Sequence, residues 1–336
     1  MSAEDSTGGG SAAPSGFRPE TRWLGLSERQ LAMILLFVTP ALFCSNMLTA
    51  RLVHDIFPPV ALAFWRWTFA LGLLLPFTAT ALWRYRSAIL REWRDFVILG
   101  ALGMGACGAF VYIGADTTSA TNIGLIYSVS PILIVILARV FYDEALSALQ
   151  GIGVLLSLLG VIAIVCRGEW EVLASLSFAV GDFWIVGAMV AWAIYCIMLQ
   201  HRPSALPMMA RFTAIVIGGI LVLLPFTLAE GLSGELPALE ARSFLIVAFL
   251  AVVPSFGAYQ VYGLVQRTLG AGPTSLLMYL FPLYNGVLAF LILGERLHSY
   301  HLIGAALVLP GIYLATRKPS AKSPLTSDGD CATKSK

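Results

Sequence analysis

Leu74-Leu75-Pro76-Phe77-Thr78 recurs as Leu223-Leu224-Pro225-Phe226-Thr227, 149 positions further along the chain. A second register then takes over at an offset of 151: Pro131 matches Pro282, Glu144 matches Glu295, Leu146 matches Leu297, Gly153 matches Gly304 and Gly160 matches Gly311. A constant offset held from Pro131 to Gly160 is the mark of an internal duplication rather than of chance. Both copies are apolar almost throughout, so the repeated unit has to be read as membrane sequence before anything else about it can be interpreted.

Of 336 residues, 58% are hydrophobic and 12% charged, against about 45–50% and about 25% in a soluble domain. The charges gather at the ends and in short connectors. That is how lipid-facing helices are written, because a charge at mid-bilayer costs roughly 2.5–3.5 kcal/mol even on lenient scales. With about 20 apolar residues per span, helices are predicted at 31–50, 59–80, 96–115, 121–141, 148–166, 178–199, 207–229, 243–265, 274–293 and 300–316. With the N-terminus inside, sixteen Lys and Arg fall in inner segments and four in outer ones, which with Arg66 account for all 21. This positive-inside asymmetry points to an even number of spans with both termini cytoplasmic, and the membrane is read as an inner (plasma) membrane.

Ten spans and one duplication give five helices per half. An odd number means that the second half enters the membrane with the opposite orientation, so the expected fold is an all-α membrane protein of ten transmembrane helices in two inverted repeats. The halves are set at 30–167 and 177–316, flanked by disordered cytoplasmic tails at 1–29 and 317–336, which are polar and without apolar period. Inverted repeats suit secondary transporters, whose halves exchange conformations around a midplane site. A duplication kept in a channel or receptor is the other reading of the same pattern.

Several function classes are excluded. A net charge of +2 without a clustered basic face does not suit nucleic acid. Cys44, Cys107, Cys166, Cys196 and Cys331 form no CxxC or Cys/His spacing and are read as small hydrophobes, with no disulfide framework, metal or cofactor expected. Gly103-Met104-Gly105-Ala106-Cys107-Gly108 fits a dinucleotide pattern but lies inside a membrane helix with no strand before it, so close helix packing accounts for it better. No HExxH, Walker or GxSxG pattern occurs, and an enzyme is not expected.

The chain resembles the drug/metabolite transporter superfamily, and within it the EamA family of bacterial metabolite and amino-acid exporters. Phe43-Cys44-Ser45-Asn46 is similar to the Trp-Gly-Ser-Asn of the family's first helix, with Phe43 and Cys44 in place of its Trp and Gly. Pro59 through Arg66 to Ala70 is similar to its second helix. Pro282, then Leu293-Gly294-Glu295-Arg296-Leu297, then Ile303-Gly304 and Gly311 reproduce its Pro, Gly-Glu and Gly spacing, echoed by Pro131, Glu144, Gly153 and Gly160. In the first echo Asp143 stands where Gly is frequent. The resemblance implies ten helices around a central cavity lined mainly by the first, third, fourth, sixth, eighth and ninth.

Polar groups inside apolar spans have no partner in hydrocarbon and must face the bundle interior. There they either join helices, at roughly 0.6–2 kcal/mol per hydrogen bond, or line a solute path. Asn46, Tyr112, Tyr127, Ser128, Ser130, Trp192, Tyr195, Tyr259, Gln260, Tyr279, Tyr284 and Asn285 form this candidate cavity set. Pro131 and Pro282, near mid-span, are candidate hinges or tolerated kinks. Arg66 either snorkels to the interface or pairs with a substrate carboxylate, Asp116 or another rim acid. Glu144 and Glu295, at repeat-related helix ends, are candidate gate or capping groups. The expected function is export of small metabolites, amino acids first, by alternating access. A membrane-embedded sensor or enzyme, or a carrier of nucleosides or hydrophobic drugs, is the alternative. The expected partners are a small-molecule substrate and the lipid bilayer, with a monomer as the working assembly.

Overall fold

The computed structural model describes residues 26–53, 57–118, 120–144, 147–166, 169, 171, 179–233, 241–284, 287 and 299–316. Their regular structure is helical. In chain order the helices are α1 Glu28–Val53, α2 Pro59–Arg84, α3 Arg86–Ala115, α4 Ala120–Ser128, α5 Ser130–Tyr142, α6 Ala148–Val165, α7 Val180–His201, α8 Met208–Leu232, α9 Ala241–Leu269, α10 Ala271–Ser275 and α11 Ser299–Ala315. Among the described residues eight stretches are long and apolar enough to cross a membrane, α4 and α5 together supplying one from Asn122 to Tyr142. α11 is apolar but shorter. The stretch predicted at 274–293 begins in α10, tightens into a 3-10 turn at Leu276–Leu280 and is described as far as residue 284 and again at 287. The tails predicted at 1–29 and 317–336 lie almost wholly outside the described residues, as does Cys331.

α3 begins ten positions before the predicted span at 96. Its first turns carry Arg86, Arg91, Glu92, Arg94 and Asp95, too polar for hydrocarbon, and they clamp the connector between α7 and α8 instead. Ser204 Oγ donates to Glu92 at 2.6 Å, the Ala205 amide to the same carboxylate at 3.2 Å, and Arg202 lies 3.2 Å from Asp95.

The repeated pentapeptide adopts the same orientation in both copies. Leu74 in α2 and Leu223 in α8 are buried, whereas Phe77 and Phe226 are 73% and 61% exposed, on faces suited to lipid. α2 and α8 pack against each other, with Thr213 Oγ1 donating to Thr78 Oγ1 at 3.2 Å. α8 also packs on α3 through glycines.

α6 and α11 form another close pair. A β-carbon on Gly153 would come within 2.6 Å of the Ala315 amide nitrogen, and one on Gly160 within 2.8 Å of the Gly304 carbonyl oxygen. A β-carbon on Gly311 in turn would meet the Gly153 carbonyl oxygen at 2.7 Å. Gly153 thus faces Gly311 while Gly160 faces Gly304, so the two helices run antiparallel, each glycine set against the counterpart of the other one. Van der Waals contact between backbones, rather than a hydrophobic driving force, holds such pairs in lipid.

Both halves also interrupt their helices at equivalent places. α3 widens to π geometry over Ala101–Phe110, and α9 does so over Ala251–Gly257. Glycines at 103, 105 and 108 make the widening easy in α3, and Pro254, which has no N–H to donate, favours it in α9. The second interruption falls at the matched prolines. α4 stops at Ser128, Val129 donates back to Ile126 in a tighter turn at 3.1 Å, and α5 resumes with Pro131 in its first turn. The 3-10 turn Leu276–Leu280 stands at the corresponding place before Pro282.

Candidate functional site: a cavity at the centre of the bundle

The interruptions surround a small cavity of about 50 Å³. Phe43 and Asn46 of α1, Arg66 of α2, Cys107 and Val111 of α3 and Tyr127 of α4 enclose it from the first half. Trp192 of α7, Pro254 and Tyr259 of α9, and Met278 and Phe281 enclose it from the second. Ordinary small-molecule sites run to roughly 300–1,000 Å³. The cavity has room for a few waters, so admitting a metabolite requires the surrounding helices to part.

Each proline bears on this space. With no N–H at Pro131 and Pro282, the carbonyls of Tyr127 and Met278 lack the helical donor four positions on, and both residues line the cavity. The π turns contribute as well, since Tyr259 Oη donates to the Gly103 carbonyl at 3.2 Å and Cys107 Sγ to the Ala188 carbonyl at 3.4 Å.

Arg66 does not snorkel. Its side chain turns inward and is 3% exposed, and Nη1 donates to Asn46 Oδ1 at 2.5 Å and to Tyr112 Oη at 2.8 Å. Tyr112 Oη also donates to Asn46 Oδ1 at 2.7 Å. The guanidinium lies over the Trp67 ring at 4.8 Å and the Tyr112 ring at 5.6 Å, contacts worth about 2 kcal/mol when desolvated. Neither of these hydrogen-bond partners is a carboxylate.

The aromatic wall is built by edge-to-face contacts. Phe43 meets Trp192 at 5.9 Å and Tyr259 at 5.4 Å, Tyr259 meets Trp67 at 5.1 Å, and Tyr195 stacks on Trp192 at 5.6 Å. Tyr195 also fills the space left by Gly103, where a β-carbon would sit 2.7 Å from its ring.

Asn46, Tyr127, Trp192, Tyr259 and Arg66 therefore converge on the cavity, with Tyr112 and Tyr195 directly behind. The other candidates are placed elsewhere. Ser128 Oγ bonds its own helix at Leu125, Tyr284 Oη donates to the Phe37 carbonyl, and the buried polar atoms of Ser130, Gln260 and Tyr279 have no partner. Asn285 and Glu295 lie outside the described residues. Sequence reasoning passed over Cys107, Pro254, Met278 and Phe281, which are apolar or nearly so and carry no signal separating cavity from core.

Both ends of α7 are tied to the first half. At its C-terminal end Gln200 Nε2 donates to Glu144 Oε1 at 3.0 Å, and Gln200 Oε1 accepts from the Ala271 amide at the start of α10. His201 Nε2 stands 3.1 Å from the same carboxylate, at ion-pair distance but without hydrogen-bond alignment, and its ring stacks on Tyr142 at 3.7 Å. Glu144 is held there by a left-handed turn at Asp143, φ 52°, a conformation that Asp tolerates better than most residues where Gly is absent. At the N-terminal end Asp182 accepts from Thr118 Oγ1, from Asn122 Nδ2 at 2.9 Å and from the Ala179 amide at 2.7 Å. Sequence reasoning missed Asp182, although an acid two residues into an apolar run is a visible signal.

The sequence matches the EamA-like transporter family twice, over residues 30–166 and 179–317. The chain belongs to that family. Among relatives of this EamA protein, an uncharacterized transporter, YyaM, of Bacillus subtilis (strain 168) is 25% identical over 268 residues, covering 80% of this chain and 87% of its own. A probable terminal-alkyne amino-acid exporter of Streptantibioticus cattleyicolor is 24% identical over 236 residues, covering 68% of this chain and 74% of its own. A crystal structure matches with a TM-score of 0.67 over 86% of this chain and 97% of that one at 19% identity, a likeness of fold. The EamA chain is thus a multi-pass membrane protein of a transporter family, with its two family segments meeting at the cavity.

Proposed function

We propose that this EamA protein is a secondary transporter, not an enzyme, exporting small organic metabolites, amino acids first among them. It does so by alternating access between two inverted five-helix halves across a bacterial inner membrane, with both termini cytoplasmic. The observation that carries the proposal is α7. Its 22 residues span about 33 Å at 1.5 Å per residue. Trp192 faces the cavity near the middle, and each end is fastened to the first half by its own polar cluster. Releasing Glu144 from Gln200 and His201 opens a route at one end, and releasing Asp182 from Thr118 and Asn122 opens a route at the other. With both clusters made, α7 is held against the first half at both ends. The antiparallel pairing of α6 with α11 and the matched interruptions support the inversion. The S. cattleyicolor relative supports amino acids as the first substrates to try.

Counterflow in proteoliposomes with labelled amino acids, nucleosides and cationic dyes tests this. Saturable exchange of amino acids is expected. No accumulation of any candidate, together with a ligand-dependent signal from a partner protein, would favour a sensor, and flux too fast for alternating access would favour a channel.

Pro131 and Pro282 act in this scheme as hinges for the helices that close the cavity. Pro131→Ala and Pro282→Ala restore a helical N–H at the interruption and are expected to slow exchange several-fold in protein that still folds. Unchanged rates in both variants would remove the hinge role.

A further inference from the structure

Two residues of the cavity wall carry buried hydrogen-bond donors without acceptors. Arg66 Nε and Trp192 Nε1 are both buried, both belong to residues lining the same 50 Å³ space, and neither has a partner. Each is a donor only and is out of reach of a water in this packing, so an oxygen admitted by a shift of the surrounding helices is what can satisfy it. Arg66 places a guanidinium at 3% exposure, and its hydrogen-bond partners, Asn46 and Tyr112, are neutral. Among the described residues the cavity lining contains no carboxylate. A buried guanidinium with neutral partners is costly, and an ionised acceptor relieves that cost more than a neutral one, because charge-assisted hydrogen bonds are roughly twice as strong as neutral ones.

We propose that Arg66, with the Trp192 indole on the wall of the same cavity, is the binding point for a carboxylate of the transported solute, so that the substrates of this protein are carboxylic acids with an apolar or aromatic body. The charge match is one to one: a single guanidinium suits a monocarboxylate, whereas a phosphomonoester dianion leaves an unbalanced charge in an apolar chamber. Phe43, Tyr259 and Phe281 supply the surface for the body. Asn46 and Tyr112 hold the guanidinium in place and are positioning residues.

This inference rests on the transport reading, yet it is separable from it. Purified full-length protein is reconstituted, and unlabelled 3-phenylpropionate and 4-methylpentanoate are compared with their neutral amides as competitors of exchange. Thermal stabilisation by the same compounds is measured in detergent. The free acids are expected to act at concentrations about tenfold or more below those of the amides, a difference of about 1.4 kcal/mol. Arg66→Gln is expected to reduce that ratio to near one, Trp192→Phe to lower it, and Arg66→Lys to keep part of it. Should Arg66→Gln fail to fold, a ratio unchanged in both Arg66→Lys and Trp192→Phe overturns the proposal. Equal potency of acid and amide in the unmodified protein overturns it as well, and leaves transport standing. Acid-specific stabilisation without exchange keeps the carboxylate site and removes transport. Neither stabilisation nor exchange by any acid removes both.

Discussion

Gly100→Leu is expected to abolish the folded protein, while Gly72→Ala, in the neighbouring helix, is expected to leave it intact. Gly100 lies where α3 crosses α8. A β-carbon there would collide with the amide of Gly219, stand 2.6 Å from the Ile215 carbonyl oxygen and 2.7 Å from the Gly218 carbonyl carbon. These are backbone atoms of a continuous helix, which cannot swing aside as a side chain can. Gly218 faces back against Phe96 and Gly219 against Met104, so the contact is close along its length. Overpacking of an interior costs about 1–3 kcal/mol where side chains can adjust. Here two helices must separate, and α3 must also keep its place around the cavity. Gly72 has nothing within 4 Å of its would-be β-carbon, so alanine there gains the roughly 0.5–1 kcal/mol by which it exceeds glycine in a helix. Yield of monodisperse protein and the thermal transition in detergent read both variants. A Gly100→Leu protein as stable as the parent would show that the α3–α8 contact is loose.

Asp182→Ala is expected to destabilise the protein by about 2–4 kcal/mol and to leave the α4–α7 end of the cavity open. The carboxylate is 2% exposed and accepts from Thr118, Asn122 and the Ala179 amide. Its removal strands buried donors, at about 1–3 kcal/mol each where water cannot reach them, and takes the acceptor from the first turn of α7, worth about 1 kcal/mol. Because the cluster joins the two halves at one end of α7, its loss should also raise reaction of a cysteine placed at Val111 with a membrane-impermeant thiol reagent. Asp182→Asn keeps the shape and one acceptor and should fall between the parent and the alanine variant. If Asp182→Ala matches the parent in both stability and labelling, the cluster is not a latch.

Much of this was legible in the sequence because it is periodic and local. Hydropathy placed nearly every helix within a few residues. The duplication marked Pro131 with Pro282 and Gly153 and Gly160 with their counterparts, and these are the places where helices break and where α6 meets α11. Polarity within apolar runs singled out Asn46, Tyr127, Trp192, Tyr259 and Arg66. The start of α3 was misplaced, since an interfacial helix carrying Arg91, Glu92 and Asp95 fails a test for apolar length yet remains helical.

The repeated Leu-Leu-Pro-Phe-Thr determined by itself that two related apolar units exist, but not which of its residues point inward: residues three apart share one side of a helix, and only packing buried Leu74 and Leu223 and left Phe77 and Phe226 exposed. It did not determine what the units enclose. That depends on helix rotation, on the π turns that re-aim α3 and α9, and on contacts such as Arg66 with Tyr112 or Gln200 with Glu144. Those contacts join residues 46 and 56 positions apart, a separation across which a hydrophobic pattern carries no information about which polar atoms will meet.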